Sequence, residues 1–469
     1  MTANHLKHGD QQLSFSPHRH PAAWFLALVA TLCLPALGCT STSETQVDRE
    51  EVVFWHFWGG ADREVVEQIV SRFNRSQSTY HVRAVAMPGN NLDLKLFLAV
   101  TGGDPPDVVN QDDPIVADWA ARGALLPLDE LASSAEIADL EDWLLPAARR
   151  MGTYGGKRYA ICNGLDIRAL YFNQSLLQAA GLEAPRTVAD LDMIAEATTQ
   201  WDEDGRPTRI GFLPDPRRLW AWGSVFGGDF YDAEHGRVTS DSPPIIAALE
   251  WMTKYRDIYG ANEVAAFRQG DQSLPGKTFP LLAGRYAMVM DGQWRVRDIR
   301  AAQQAQRERG ERVTDYGVCP LPPPAEGRAR AGWVNGNFFL VPRGARNATG
   351  AWEFMKFWCG FAGNEAIAAD ICIAGGWIPV SKEVVRQPHF QEHLADEPLF
   401  EQFVQLAASP HQVPTPVIPG AGYFQRAINQ AAATSMYVDS GTSPRELLKR
   451  ASQDVQAHLD ALRERLDGQ

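Results

Sequence analysis

An α/β fold built on a parallel sheet is predicted by three features of the chain. Strand-like runs rich in β-branched and aromatic residues alternate with segments of helical period between residues 51 and 122. The composition is that of an ordinary globular protein, 45% hydrophobic and 22% charged over 469 residues, long enough for two full cores. Polar-aromatic turns follow several of the strand-like runs, where open α/β sheets place their ligands.

The elements follow in order. Glu51–Phe57 reads as a strand, broken by Trp58-Gly59-Gly60. Ala61–Asn74 has apolar residues at Val65, Val66, Ile69, Val70 and Phe73, a helical period. His81–Met87 alternates as a strand, Leu92–Val100 is helical, Asp107–Asn110 is a short buried strand, and Ile115–Arg122 is a helix stopped by Gly123. Tyr154–Tyr159 is a hairpin, and Ile167–Asn173 is an apolar strand entered through a loop at Cys162–Asp166. Thr187, with Asp190 three residues later, opens a helix as a capping box. Leu219–Gly228 is aromatic and Gly-rich, Pro243–Tyr259 is a long amphipathic helix, and Phe267–Pro275 reads as a loop. Gly284-Arg285 turns into a strand at Tyr286–Met290, which exits sharply through Asp291-Gly292-Gln293-Trp294. Trp333–Asn337 reads as a turn before a strand, Gly375-Gly376-Trp377 as a second Gly-Trp turn, and Pro444–Leu466 as a terminal helix. No repeat of fixed period is present, against a solenoid or propeller.

The first 38 residues are a leader. Lys7 and Arg19 precede the short apolar run Ala22–Gly38, as a secretion signal requires. The run contains Pro35 and is short for a spanning helix. It ends in Ala36-Leu37-Gly38-Cys39, which resembles a lipoprotein cleavage box with Ala36 where Leu is usual. Cys39 is then the lipidated N-terminus, and the Ser/Thr-rich segment after it a tether. Loss of Lys7, Arg19 and Asp10 changes the formal charge from -13 (44 minus 57) to -14 (42 minus 56). With that charge and no basic run, a nucleic-acid partner is excluded. Cys33 leaves with the leader; Cys162, Cys319, Cys359 and Cys372 form no C-x-x-C pair and are expected as buried thiols, although export would permit disulfides.

Five turns place Trp, Asp and Asn together: Trp58-Gly59-Gly60, Gln111-Asp112-Asp113, Cys162–Asp166, Asp291–Trp294 and Trp333–Asn337. Aromatic faces with carboxylates and amides suit a carbohydrate, whose rings offer C–H faces for stacking and hydroxyls for hydrogen bonds. The fourteen Trp residues supply such platforms in surplus.

The chain resembles the family 1 extracytoplasmic solute-binding proteins of bacterial ABC importers, the class that includes maltose- and glycerol-3-phosphate-binding proteins. The matching pieces are FWHFWGG at 54–60, RFN at 72–74, GDPPDVV at 103–109 and YAICNGLDIRALYFN at 159–173, followed by LLAGRYAMVMDGQW at 281–294, GWVNGNFFLVP at 332–342, AWEFMKFW at 351–358 and GGWIPV at 375–380. The resemblance implies a two-lobed periplasmic-binding-protein fold, type II-like, with a ligand cleft between lobes joined by hinge crossings. It divides the chain into a leader at 1–38, a tether at 39–50, an N-lobe at 51–167 and 338–395, and a C-lobe at 168–337 and 396–469. Crossings are expected near Asp166–Ala169, near Val334–Phe338 and beyond Val380. Carried over position by position, the ligand site falls on Trp58, Gly59, Asp112, Asp113, Asn163, Asp166, Asp291, Trp294, Trp333, Asn335, Asn337, Trp377 and Tyr423. Trp222, in a region that varies in the family, is added, and Trp220 beside it is left between site and core.

The function so implied is capture of a mono- or oligosaccharide and its delivery to an ABC permease by a monomer, lipid-anchored through Cys39 on the extracytoplasmic face of the membrane or in the periplasm. The alternative ligand is a polyol phosphate such as glycerol 3-phosphate, for which Arg63, Arg168, Arg295 and Arg426 are the candidate cations. A glycoside hydrolase needs two carboxylates flanking a bond, and Asp112-Asp113 are sequence neighbours whose side chains diverge. Gly276-Lys277-Thr278 is not a phosphate loop, because Asp271 stands where that loop needs Gly. His389 and His393 have metal-ligand spacing but no marked third ligand. No catalytic residue, cofactor or metal is expected.

Overall fold

The computed structural model describes residues 49–87, 92–112, 115–274 and 278–468. The leader, Cys39, most of the tether, Asp113 and Gly276-Lys277 lie outside the described residues.

The N-terminal part alternates as expected: β1 (Glu50–His56), α1 (Gly60–Ser76), β2 (Tyr80–Ala86), α2 (Leu92–Gly102), β3 (Val108–Asp112) and α3 (Ile115–Ala121). β1 lies between β2 and β3 and runs parallel to both. After the short helix α4 (Pro146–Met151) and the hairpin around Gly155-Gly156 comes β4 (Ala160–Asn173). The chain continues through α5 (Leu219–Val225), α6 (Pro243–Tyr259), β5 (Met288–Gly292), α7 (Arg295–Glu308), β6 (Tyr316–Cys319) and β7 (Gly332–Leu340). Helices α8 (Ala348–Cys359), α9 (Glu365–Gly375) and α10 (Pro398–Ala407) return to the first part, and β8 (Gln412–Val413), α11 (Ala421–Tyr437) and α12 (Pro444–Asp467) finish the chain.

One eight-stranded sheet joins these parts, in the order β5-β4-β7-β3-β1-β2, with β6 also on β4 and β8 also on β7. β4 is its spine. Its 14 residues span roughly 46 Å at the usual rise per residue. Ala160–Ile167 pair antiparallel with β7, and Arg168–Asn173 pair with β5 and β6. The expected loops at Cys162–Asp166 and Trp333–Asn337 are therefore strand interior. Their Asn, Gly and Asp residues look like turn formers in sequence, but they stand where two strands pass between cores. Asp291 and Gly292, expected in an exit turn, are likewise the last two residues of β5. The expected loop at Phe267–Pro275 is helical as far as Gln272.

Two buried clusters flank the sheet. The first gathers Val52, Phe54, Val66, Ile69, Phe339, Phe354 and Trp358. Phe54 meets Phe339, Phe354 and Trp358 edge to face at 5.6, 5.3 and 6.0 Å. The second gathers Leu170, Phe172, Phe212, Trp222, Trp251, Met288 and Phe424. The alternation of β4 partitions its side chains, with Leu170 and Phe172 in the second cluster and Ala169 and Tyr171 in the first. Phe403 of α10, Phe279, Val296 and Ile299 belong to the first cluster as well. Helix α10 thus packs with the first core, although the expected boundary at 395/396 assigned it to the second lobe.

The GDPPDVV segment has a physical role. Asp107 is buried, and its carboxylate accepts from Val53 N at 2.8 Å and from Asn347 N at 2.7 Å. Asn347 then caps α8 by accepting from Gly350 N at 2.9 Å. Among the described residues no helix is long and apolar enough to cross a membrane, and no cluster of three or more His, Cys, Asp or Glu could hold a metal ion. Cys162, Cys319, Cys359 and Cys372 form no disulfide, and burial pushes the Cys319 and Cys372 thiols up to about 12.

Two outcomes follow for stability. Asp107→Ala leaves two backbone N–H groups without their acceptor and should cost about 2–4 kcal/mol in urea unfolding. His56, only 1% exposed, has its imidazole held down to about 4 by burial, with Arg63 adding to the effect. Between pH 6.5 and 4 the unfolded chain takes up a proton at this residue that the folded chain refuses. Stability should therefore fall as pH drops through that window, by about 2–3 kcal/mol at most. Urea titrations at pH 7 and pH 4.5 should show this part of the fall missing in His56→Gln.

Candidate functional site

The crossing strands lay a polar stripe between two aromatic ends. Along β4, Gly164, Asp166 and Arg168 share one face; along β7, so do Trp333, Asn335 and Asn337. The register sets Gly164 opposite Asn337 and Asp166 opposite Asn335. On the other edge of β4, Gly292 lies opposite Arg168. Asn337 also pairs with Asp112 at the end of β3. The register shifts at Asn337/Phe338, so Asn163 is the extra residue of a bulge. Its side-chain oxygen accepts from Asn110 Nδ2 at 2.8 Å.

Glycines admit the indoles. A Cβ on Gly164 would lie 3.1 Å from Cβ of Trp377, and one on Gly292 would lie 2.3 Å from the Trp294 ring. At the first-core end, Trp58 stacks on Trp358 with centroids 5.7 Å apart and planes 11° apart, and Trp377 lies 5.6 Å from Trp58. Gly59 caps α1 beside them. At the second-core end, Trp294 and Trp333 lie on either side of Arg168, whose guanidinium carbon is 4.7 and 5.6 Å from their ring centroids. Trp333 Nε1 donates to Thr415 Oγ1 at 3.1 Å.

Gln293 fixes the junction. Its side-chain amide donates to Asp166 Oδ1 at 2.8 Å and to Leu165 O at 3.2 Å, while its oxygen accepts from Ile167 N at 3.2 Å. One buried amide thus ties the exit of β5 to the crossing of β4. Asp291 is committed locally: it accepts from Arg295 Nε and from Gly292 N, both at 2.8 Å.

A cavity of about 600 Å³ opens beside Trp333. Arg150 and Thr153 line it from the side of the first core, Trp220 and Phe230 from the second, and Val413–Ile418 close it. These last residues lie between α10 and α11, and β8, which ends at Val413, pairs with Gly332-Trp333. The two sides also touch through Gly420 N, which donates to Asp118 Oδ1 at 2.7 Å, and through Arg297 and Asp62 at 2.9 Å. A similar opening of about 650 Å³ along α1 and α9 is lined by surface side chains such as Glu64, Arg72 and Asp370. It holds none of the residues that face the stripe.

The expected site residues divide accordingly. Asp166, Trp294, Trp333, Asn335 and Asn337 come together along the stripe, with Trp58, Gly59, Asp112, Asn163 and Trp377 at its first-core end. Of the expected residues, Trp333 alone lines the 600 Å³ cavity. Asp113 lies outside the described residues. Tyr423 stands on α11 with its ring stacked on His458 at 4.1 Å. Trp222 is corrected. It is fully buried, 4.6 Å from Trp251 and edge-on to Phe212, so its ring is core. Trp220 is the one that lines the cavity, stacked on Phe230 at 4.3 Å. Two residues apart on a helix point about 200° apart, so both could not face the same side. Sequence reasoning missed Gln293, Trp358, Asn110 and Thr415. Only Gln293 carried a signal, its place between Asp291 and Trp294.

Comparison with known proteins places this architecture. Residues 68–398 match the family of bacterial extracellular solute-binding proteins. The chain is similar to the maltooligosaccharide ABC transporter solute-binding lipoprotein of Streptococcus pneumoniae serotype 4, 25% identical over 275 residues, which are 56% of this chain and 58% of that one. It is also similar to the sn-glycerol-3-phosphate-binding periplasmic protein UgpB of Rhizobium meliloti, 22% identical over 71% of this chain and 75% of that protein. The chain thus spans less than two thirds of the first of these relatives. Among solved structures, CpMnBP1 with mannotriose bound superposes with a TM-score of 0.72 at 24% identity, covering 87% of this chain and all of that one. The GacH receptor of Streptomyces glaucescens, solved unliganded and with acarbose, gives 0.69 at 22% identity over 88% of this chain and 99% of that one. These likenesses show a shared two-lobed fold. With the family match spanning 331 of 469 residues (68 to 398), the chain belongs to the bacterial extracellular solute-binding proteins.

Proposed function

We propose that the protein is the capturing component of an ABC importer, taking a carbohydrate between its lobes and delivering it to a permease. The observation that carries this reading is the stripe of Asp166, Asn335 and Asn337 between the Trp58–Trp377 and Trp294–Trp333 ends. Indole faces suit the C–H faces of sugar rings, and amides and carboxylates suit their hydroxyls. The maltooligosaccharide-binding relative and the mannotriose-bound neighbour support it. The lobes are 51–167 with 338–395 and 168–337 with 396–469, except that α10, the apolar face of α7 and Phe279 pack with the first core, and ligand entry is a hinge motion at the three crossings. Closure over the ligand excludes water and strengthens its hydrogen bonds. The protein performs no reaction on the ligand. It acts as a monomer held at the extracytoplasmic membrane face by lipid on Cys39.

A thermal-shift screen of mono- and oligosaccharides, followed by calorimetry on the hits, tests the ligand class. A saccharide that binds the folded state raises the melting temperature, and a screen in which none does overturns the reading. Against the hit, Trp294→Ala and Trp333→Ala should each weaken binding by about 1–3 kcal/mol. Unchanged affinity in both would remove these indoles from the site. Trp222→Ala should instead cost about 3–5 kcal/mol of stability, read by urea unfolding. Cys39→Ser should move the protein from the membrane to the soluble fraction of cells; continued membrane retention would exclude the anchor.

A further inference from the structure

The spine strand holds a buried guanidinium with two unmet N–H donors among the described residues. Arg168 is 7% exposed, and its Nε and Nη1 are buried with no hydrogen-bond partner. The indoles of Trp294 and Trp333 flank its guanidinium at 4.7 and 5.6 Å. Aromatic faces attract a cation but give its N–H groups no acceptor in the ring plane. A buried arginine ordinarily has those donors met. Arg158, only 1% exposed, shows the usual solution in this chain. It donates to Glu141, to the carbonyls of Ala160 and Arg149, and to Thr153 Oγ1.

The surroundings do not supply the missing partner. Across the strand pair from Arg168 stands Gly292, with no side chain to offer. Of the carboxylates at the junction, Asp291 is paired with Arg295 and accepts from Gly292 N, Asp166 accepts from the Gln293 amide, and neither carboxylate meets the buried Nε or Nη1 of Arg168. A second cation adds to the local field: the Arg218 guanidinium is held down to about 10 by burial and by the charge of Arg168. The result is a desolvated guanidinium, flanked by two indoles, on the same face as the polar stripe.

We propose that the captured saccharide is acidic and that its anionic group, a carboxylate or a phosphate, seats against the Arg168 guanidinium between Trp294 and Trp333. This rests on the carbohydrate reading and narrows it. The indoles pack the sugar ring and hold the guanidinium in place. The anion supplies the acceptors that the fold withholds, and cleft closure keeps water from competing for them.

The test uses the full-length protein and calorimetry with matched probes. The carboxylate arm is trigalacturonate, the phosphate arm glucose 6-phosphate, and the neutral arms maltotriose, mannotriose and glucose. The expected result is that one acidic probe binds at least about tenfold tighter than its neutral counterparts, and that its affinity falls with added salt. Which arm binds identifies the anion. Arg168→Gln should abolish the preference for the acidic probe over its neutral counterparts. A second measurement needs no ligand. Arg168→Met removes a buried charge that lacks partners, so the melting temperature of the free protein should hold or rise. Neutral probes that bind as tightly as acidic ones overturn the proposal and leave the carbohydrate reading standing. A fall of several degrees in Arg168→Met also overturns it, by making the guanidinium a structural cation. Failure of every saccharide to bind overturns both.

Discussion

The pairing of β4 with β7 is the interaction on which the rest of the molecule depends. Both strands carry apolar side chains into the first core, and β4 carries others into the second. The backbone ladder between them crosses the space between the cores unbroken save for one bulge at Asn163. A sheet edge buried there would leave N–H and C=O groups unmet. Two long strands meet that demand and still allow polar side chains on one face. Gln293 reinforces the crossing from the side, which makes a single buried amide part of both the frame and the floor of the site.

This arrangement explains why much of the fold was legible in the sequence and the crossing was not. The β-α-β-α-β-α opening repeats two clean periods, and its elements fall within a residue or two of where the pattern put them. The capping box at Thr187 and Asp190 was likewise readable, because it is local chemistry. Asn163-Gly164-Leu165-Asp166 and Trp333–Asn337 have turn composition, and only long-range pairing makes them strands. Propensity is a statement about neighbours in sequence, and here strand partners 169 to 173 residues away decide. Separation in sequence also hid Trp358 and Asn110, whose partners Trp58 and Asn163 come from other elements. Trp222 failed for a different reason. Composition marked LWAWG as aromatic without saying which way each ring points, and helix geometry sends Trp220 and Trp222 to opposite sides.

The site is also shaped by how its indoles are held. A side chain at Gly292 would collide with the Trp294 ring, and one at Gly164 would press tightly on Trp377. Each glycine lets an indole side chain approach the strand backbone closely, so the aromatic ends of the stripe are set by the backbone as much as by side-chain packing. Rings so placed lose little freedom when a ligand arrives, which favours affinity.

The thiols have a practical consequence. Cys162, Cys359 and Cys372 are buried, Cys319 is half-buried, and burial holds the last three well above the range in which thiolate forms. Maleimides and similar reagents attack thiolate, so the folded body described here presents them with little to modify. A single cysteine introduced at the rim of the cleft, in a chain lacking Cys39, would then be labelled almost alone. A fluorophore at that point would report opening and closing directly, without first removing the native cysteines from the core.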